Sequence, residues 1–181
     1  MKKLLLTLIC ALTCVSLLTG CSNKKDPFYE DYEDATNKTL FKTINDKELV
    51  EFLENGTGVL FLSFPQCPWC HAFLPVIEQS TKNANINQVY YYDIYEDRKN
   101  ETDLYHKVCE LLDGELDFDN DGNPRIFVPD VTVIDHGSII YHTNETSMTS
   151  SDEITPDAYW TDEQRQQSID ALTSALKKLN S

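Results

Sequence analysis

Basic residues and long apolar runs are both scarce in this sequence of 181 residues. Fifteen Lys and Arg residues stand against 30 Asp and Glu, and the formal net charge at pH 7 is −15. Such a charge repels the phosphates of nucleic acids and disfavours electrostatic docking on anionic lipid. One apolar run, from Leu4 to Leu18, follows Lys2 and Lys3, and it is too short to favour a membrane-spanning helix. We therefore expect no nucleic-acid partner.

Cysteine is scarce in the part of the chain that can fold. Of the six cysteines, three lie within the first 21 residues, which leaves Cys67, Cys70 and Cys109. One close pair and one odd thiol do not make a disulfide scaffold, so the fold depends on an apolar core. Residues 39–181 are numerous enough for one domain with a single core.

The N-terminal segment has the layout of an export signal. Residues 1–20 combine two lysines, an apolar run and the small residues Thr19 and Gly20. The run Leu18-Thr19-Gly20-Cys21 resembles the lipobox of bacterial lipoproteins. This resemblance implies cleavage before Cys21 and a diacylglycerol on its thiol, which would anchor the protein at the extracytoplasmic face of a bacterial cell membrane. The alternative is an ordinary secretory signal in which Cys21 is incidental.

The remaining chain divides into a short acidic segment and one domain. Residues 21–38 have no apolar period, so we predict an acidic tether with little structure of its own. Strands alternating with helices, followed by a hairpin and a helix, predict an α/β domain over 39–181, with a mixed central sheet and helices on both faces. The apolar patterns place strands over 40–44, 58–64, 88–95, 131–134 and 139–142, and helices over 45–56, 70–83, 104–112 and 161–179.

The segment Cys67-Pro68-Trp69-Cys70 lies where a predicted buried strand ends and a helix begins. Unpaired N–H groups at a helix N-terminus stabilise a thiolate, and only a thiolate attacks a disulfide. Cys67 would form a mixed disulfide with a client. The two-residue spacing lets Cys70 reach the sulfur atom of Cys67, so Cys70 would resolve that mixed disulfide. Pro68 removes an N–H that has no intrahelical partner. We expect Trp69 to offer clients an exposed apolar contact.

Two prolines make this pattern more specific. Pro75 falls inside the helix that follows the CPWC motif, and Val128-Pro129 comes directly before the strand of the terminal hairpin. The order strand, CPWC, helix with an internal proline, strand, helix, X-Pro, hairpin and final helix resembles the thioredoxin family over 39–179. This resemblance implies a thioredoxin-like fold and a cis Pro129 beside Cys67. It also implies that the Val128 backbone pairs with the extended chain of a client.

The sequence departs from the thioredoxin pattern in three ways. Phe61 stands six residues before Cys67, where thioredoxins keep a buried aspartate, so the proton acceptor for the second cysteine is missing or supplied elsewhere. The dipeptide between the cysteines is Pro-Trp instead of Gly-Pro. A longer stretch before the X-Pro pair predicts an inserted helix and loop over 97–127. The run from Ser63 to Cys70 also resembles Gram-positive bacteriocin transport accessory proteins.

These features predict an extracytoplasmic, membrane-anchored thiol–disulfide oxidoreductase that exchanges disulfides with exported proteins. Its redox-active Cys67–Cys70 disulfide would serve in place of a cofactor, and a membrane-borne partner would exchange electrons with it. The residues that shape the site and bind clients would be Pro68, Trp69, Val128 and Pro129. A different class, a non-catalytic accessory module of a membrane transport system, is the alternative. The paired cysteines argue against it, because a pure binder needs neither.

The residues Cys67 to His71 also read C-x-x-C-H, the attachment signal for c-type haem. His71 would then be the proximal ligand. The distal ligand would have to be Met148, which lies in a polar loop. Cytochrome c domains are mainly helical, whereas this chain has at least four strand signals, so haem attachment is the weaker interpretation.

Two metal sites are further alternatives. Asp117, Asp119 and Asp121 mimic the start of an EF-hand loop, but no glutamate stands at its twelfth position. A zinc site would require Cys109 and a histidine to meet the CPWC motif. We instead expect a turn in an acidic loop, a buried and inert Cys109 thiol, and no metal.

Overall fold

Strands and helices alternate over residues 25–144 and 154–180, the part of the chain that this computed structural model describes. The predicted export signal and Cys21 lie outside the described residues. Within them, no helix is long and apolar enough to cross a membrane. In chain order the elements are α1 Phe28–Asp31, β1 Phe41–Thr43, α2 Asp46–Asn55, β2 Gly58–Ser63, α3 Pro68–Ala84, β3 Val89–Asp93, α4 Tyr95–Asn100, α5 Asp103–Leu111, β4 Asp117–Phe118, β5 Pro124–Arg125, β6 Asp130–Asp135, β7 Ser138–Thr143, α6 Pro156–Tyr159 and α7 Asp162–Lys178.

Five of the strands form a mixed sheet in the order β1-β3-β2-β6-β7. Strands β1, β3 and β2 run parallel, whereas β6 pairs antiparallel with both β2 and β7. Strand β2 lies in the middle, where Phe61 pairs with Tyr91 on one side and Val131 on the other. A central strand is buried on both faces, which explains the continuous apolar run GVLFLS. The predicted α/β fold with a mixed sheet is confirmed.

Strand β2 separates two apolar cores. Val59 and Phe61 pack on one face of the sheet with α1, α3 and α7, and Leu60 and Leu62 pack on the other with α2 and α5. All four side chains are 0 % exposed, and each such burial stabilises the fold by about 1.5–3 kcal/mol. The helices therefore cover both faces, as predicted, and they fix the end of β2 from which the CPWC motif starts.

Residues 26–38 are not the loose tether that the sequence predicts. Phe28 and Tyr32 are both 0 % exposed, and their rings stack with centroids 4.5 Å apart. The hydroxyl of Tyr29 accepts a hydrogen bond of 2.6 Å from the backbone N–H of Phe41 in β1. The prediction was wrong because aromatic rings supply the apolar area that this acidic segment lacks in aliphatic residues. The folded domain therefore begins near residue 26 instead of 39.

Two predicted helix starts are confirmed in detail. At α2, the Asn45 side chain accepts from the Glu48 N–H while the Glu48 carboxylate accepts from the Asn45 N–H. Thr161 and Gln164 make the same reciprocal pair at α7. Each such capping box satisfies two N–H groups that the helix itself leaves unpaired.

The stretch 97–127 holds more structure than the helix and loop that the sequence predicts. It contains the end of α4, all of α5 and the β4–β5 hairpin. The strand predicted over 88–95 is shorter, because Tyr95 already begins α4. In the hairpin, Asp119 accepts hydrogen bonds of 2.9 Å from the N–H groups of Asp121 and Asn123. This is the turn expected in place of an EF-hand.

Candidate active site

The CPWC motif lies at the junction between β2 and α3. Cys67 is the N-cap of α3, with Pro68 in the first helical turn. Its Sγ accepts a hydrogen bond of 3.1 Å from the backbone N–H of Cys70. Cys67 and Cys70 are joined by a disulfide, and their Cα atoms are 5.3 Å apart. The helix start thus supplies the N–H donor that the sequence predicts for the first sulfur atom.

The two cysteines differ in their access to solvent. Cys67 is 5 % exposed and Cys70 is 0 % exposed. Cys70 belongs to the first turn of α3, and its side chain is part of the apolar core on that face of the sheet. A group that approaches from solvent therefore meets Cys67 first.

The Val128–Pro129 pair lies beside Cys67, although 61 residues separate Val128 from it. Strand β6 starts directly after Pro129 and pairs with the end of β2, where Asp130 lies opposite Leu62. This pairing places the carbonyl oxygen of Val128 3.9 Å from the Sγ of Cys67. The Val128–Pro129 peptide bond is cis, as the sequence predicts.

Trp69 is less exposed than the sequence predicts. Its ring is half-buried and meets the ring of Tyr159 in α6 edge-on, with centroids 5.4 Å apart. Tyr159 in turn packs edge-on against Trp160, at 5.0 Å. The ring is only partly accessible because α6, the helix before α7, folds back over the motif. The accessible part of Trp69 still lines the surface beside Cys67.

Phe61 occupies the position at which thioredoxins have a buried aspartate. Phe61 is 0 % exposed and packs within the core that contains both cysteines. The polar pair in this region is the Tyr32 hydroxyl and the Ser63 hydroxyl, 2.8 Å apart. Burial raises the pKa of Tyr32 well above its ordinary value. Tyr32 thus stays protonated at neutral pH and is no base for either cysteine.

His71, in the first turn of α3, has more partners than the sequence suggests. Its Nδ1 lies 2.9 Å from Oδ2 of Asp34, and its Nε2 lies 2.8 Å from the carbonyl oxygen of Pro65. The Tyr32 ring covers the imidazole, with centroids 4.6 Å apart. Both ring nitrogens therefore face hydrogen-bond acceptors. With both nitrogens engaged, His71 is not oriented as a haem ligand.

A groove beside Cys67 contains residues that the sequence did not reveal. This CPWC groove is a cavity of about 340 Å³, lined by Phe64, Gln66, Cys67, Pro68, Trp69, Arg98, Arg125, Phe127 and Val128. Arg98 comes from α4 and Arg125 from β5, both in the stretch 97–127. Neither belongs to a periodic pattern or a motif, so no signal in the sequence places them at the site.

Cys109 lies away from the CPWC motif. It is a free, half-buried cysteine on α5 and packs with the core on the other face of the sheet. Burial raises the pKa of its thiol, so the uncharged and less reactive form predominates at neutral pH. The position of Cys109 does not allow a zinc site shared with Cys67 and Cys70. In the described ranges, no three His, Cys, Asp or Glu residues are grouped to hold a metal ion.

The structure brings together six of the seven predicted site residues, and Cys21 lies outside the described ranges. The six are Cys67, Pro68, Trp69, Cys70, Val128 and Pro129. No protein-family model matches the chain, and no curated protein or solved structure matches it either. The chemistry of the chain is therefore inferred from the geometry of the CPWC groove.

Proposed function

We propose that this protein is a thiol–disulfide oxidoreductase of thioredoxin type, which exchanges disulfides with client proteins through Cys67 and Cys70. One observation carries the proposal. A disulfide lies at the N-terminus of a long helix, with its outer sulfur atom at a groove and 3.9 Å from the carbonyl oxygen that precedes a cis proline. The arrangement of sheet, helices and X-Pro strand is compatible with a thioredoxin-like fold.

The exchange would proceed in two steps. In the reduced protein, the Cys67 thiolate attacks one sulfur of a client disulfide, so that a mixed disulfide forms and the other client sulfur leaves as a thiolate. The Cys70 thiolate then attacks the Sγ of Cys67 and releases the second client sulfur. The client gains two electrons and the protein becomes the Cys67–Cys70 disulfide. Run in reverse, the same steps oxidise a client dithiol.

The start of α3 would favour the thiolate of Cys67. The Sγ accepts from the Cys70 N–H, and it lies at the positive end of a helix of 17 residues. Both contributions are larger for a thiolate than for a thiol, because they act on its negative charge. Cys67 would therefore be the nucleophile.

The groove would hold the client chain next to Cys67. Phe64 and Phe127 offer apolar contact, as does the accessible part of Trp69. The Val128 carbonyl beside Cys67 would accept from a backbone N–H of an extended client segment, as in β-strand addition. This contact requires no particular client side chain.

The N-terminal sequence supports an extracytoplasmic location. Cleavage before Cys21 and lipidation of its thiol would hold the domain at the outer face of the cell membrane. Outside the cytosol a CxxC pair can cycle between dithiol and disulfide. The clients would then be exported proteins, and a membrane-borne partner would exchange electrons with the pair.

The test is to trap clients with Cys70→Ala. Without the resolving cysteine, mixed disulfides on Cys67 should accumulate, and a reductant should release them. Cys67→Ala and Cys109→Ala are the matched controls: the first should trap nothing, and the second should behave like the wild type. If Cys70→Ala traps no protein where the wild type exchanges disulfides, or traps proteins through Cys109, the proposed roles are wrong.

A further inference from the structure

The CPWC groove differs in charge from the rest of the molecule. The chain has 30 acidic residues against 15 basic ones, yet none of the residues that line the groove is Asp or Glu, and two are arginine. Two positive charges next to the reactive sulfur atom of an acidic protein favour a negatively charged ligand in the groove.

Arg98 is held in place from two sides. Its Nη1 donates a hydrogen bond of 3.2 Å to the carbonyl oxygen of Ile126, and its guanidinium lies 4.8 Å from the centre of the Phe64 ring. A guanidinium has five N–H donors, so most of them remain for another partner. Because the side chain is already ordered, binding an anion there would cost little conformational entropy.

Arg125 completes a pair of like charges. Its guanidinium lies 5.7 Å from the centre of the Phe127 ring. Arg98 and Arg125 line the same groove, and burial together with the charge of Arg125 lowers the pKa of Arg98. Both arginines also line a second cavity, which is acidic and carries Glu101, Glu110, Asp113 and Asp119. Within the described ranges, however, no carboxylate is within ion-pair distance of either arginine.

We infer that the groove selects client segments with a carboxylate beside the reacting cysteine, and that Arg98 and Arg125 bind this carboxylate. The inference rests on the proposed function and names its substrate class. A carboxylate between the two guanidinium groups would relieve their repulsion and accept two parallel hydrogen bonds. The apolar groove residues would contact the rest of the segment.

The test compares two disulfide-bonded peptides that differ only in Glu or Gln next to the cysteine. We expect the wild type to react about tenfold faster in kcat/KM with the Glu peptide, as one charge-assisted hydrogen bond of roughly 1.4 kcal/mol would give. In the double variant Arg98→Gln with Arg125→Gln, the ratio should fall below one, because the net negative charge of the protein then repels the Glu peptide.

The matched control removes two positive charges elsewhere, in Lys47→Gln with Lys177→Gln. Both residues are exposed and neither lines the groove, so the preference for the Glu peptide should survive. Equal rates with the two peptides in the wild type, or loss of the preference in the lysine variant, would overturn the inference while leaving the proposed function intact. No exchange with either peptide would overturn both.

Two further arms sharpen the result. Arg98→Lys keeps the charge but not the paired hydrogen bonds, so it should lose part of the preference for the Glu peptide without disturbing the fold.

Glutathione disulfide is a small disulfide that carries carboxylates without a polypeptide client. If it reacts faster than the Glu peptide, and the arginine double variant removes that advantage, the carboxylate belongs to a small thiol and the choice of a polypeptide client is wrong.

Discussion

The surroundings of individual side chains decide what each sulfur atom can do. Cys67 is the N-cap of α3 and reaches the groove, whereas Cys70 is 0 % exposed beneath it. A client disulfide is bulky and could approach only the outer sulfur atom, so the proposed order of attack agrees with the burial of the two cysteines. Phe61 puts an apolar side chain where thioredoxins have a carboxylate, so in the proposed reaction the proton of Cys70 would have to leave by another route.

A second buried pair follows directly after the cis proline. Nε2 of His142 lies 2.8 Å from Oδ2 of Asp130, and the two side chains are 5 % and 0 % exposed. Asp130 also accepts a hydrogen bond of 3.0 Å from the Thr132 hydroxyl. Burial alone would lower the pKa of His142, but the hydrogen bond and charge of Asp130 outweigh it, with Glu115 and Asp117 adding to the rise. The net effect is a raised pKa.

This pair predicts a pH dependence of stability. A pKa raised above 6.5 in the folded state means that the stabilisation is complete below that pH and is lost as the pH rises through the folded value. The free energy of unfolding, measured with urea at several pH values, should therefore decline above pH 6.5 in the wild type. His142→Gln should remove this contribution.

The free energies of unfolding of the wild type and of His142→Gln are compared at each pH, and the difference between the two proteins should shrink above pH 6.5. If the free energy of unfolding of His142→Gln declined with pH as steeply as that of the wild type, the buried pair would not titrate as described.

Among the elements, α1 and the segment around it have the largest unexpected role. Phe28 packs against the rings of Tyr32, Phe41 and Tyr91. Tyr32 also covers His71 and bonds to Ser63, at the end of β2. The segment is thus part of the core on the α3 face, and it supports the loop that leads to the CPWC motif.

Phe28→Ala should lower the free energy of unfolding by about 3–5 kcal/mol, because it empties the site of a buried aromatic ring. The neighbouring Glu30 is exposed, and Glu30→Ala should change the free energy of unfolding by less than about 0.5 kcal/mol. Denaturant unfolding of both variants measures the difference. If Phe28→Ala were as stable as Glu30→Ala, the segment would be the loose tether that its composition suggests.

The elements that the sequence predicts well are those with local signals. Capping boxes at Asn45 and Thr161 mark the starts of α2 and α7, and the apolar run over 58–63 marks the central strand. Helix α4 has no side-chain cap and no buried residue, so no periodicity reveals it. The position of Arg98 at the groove depends on how that helix packs, which tertiary contacts alone determine.

The whole molecule combines a negative charge with a proposed membrane anchor. A net charge of −15 keeps the domain away from anionic lipid, so attachment would depend on the acyl chains of Cys21. The same charge would disfavour acidic clients everywhere except in the CPWC groove. Selection of clients would therefore occur at short range, next to Cys67.

Cys21→Ala tests the anchor. In cells that express the full chain, this variant should move from the membrane fraction to the soluble fraction, because no acyl chain can then be attached. Cys109→Ala is the control and should stay with the membranes. A Cys21→Ala protein that remains in the membrane fraction after a high-salt wash would contradict lipidation at this residue.

The reduction potential of the Cys67–Cys70 pair tests the central claim most directly. The protein is equilibrated in thiol–disulfide buffers, alkylated, and analysed by mass spectrometry for the state of each cysteine. We predict one reversible two-electron transition, confined to Cys67 and Cys70, at a potential above about −300 mV. A pair that stays oxidised below about −300 mV would be a structural disulfide, and the protein would not be an oxidoreductase.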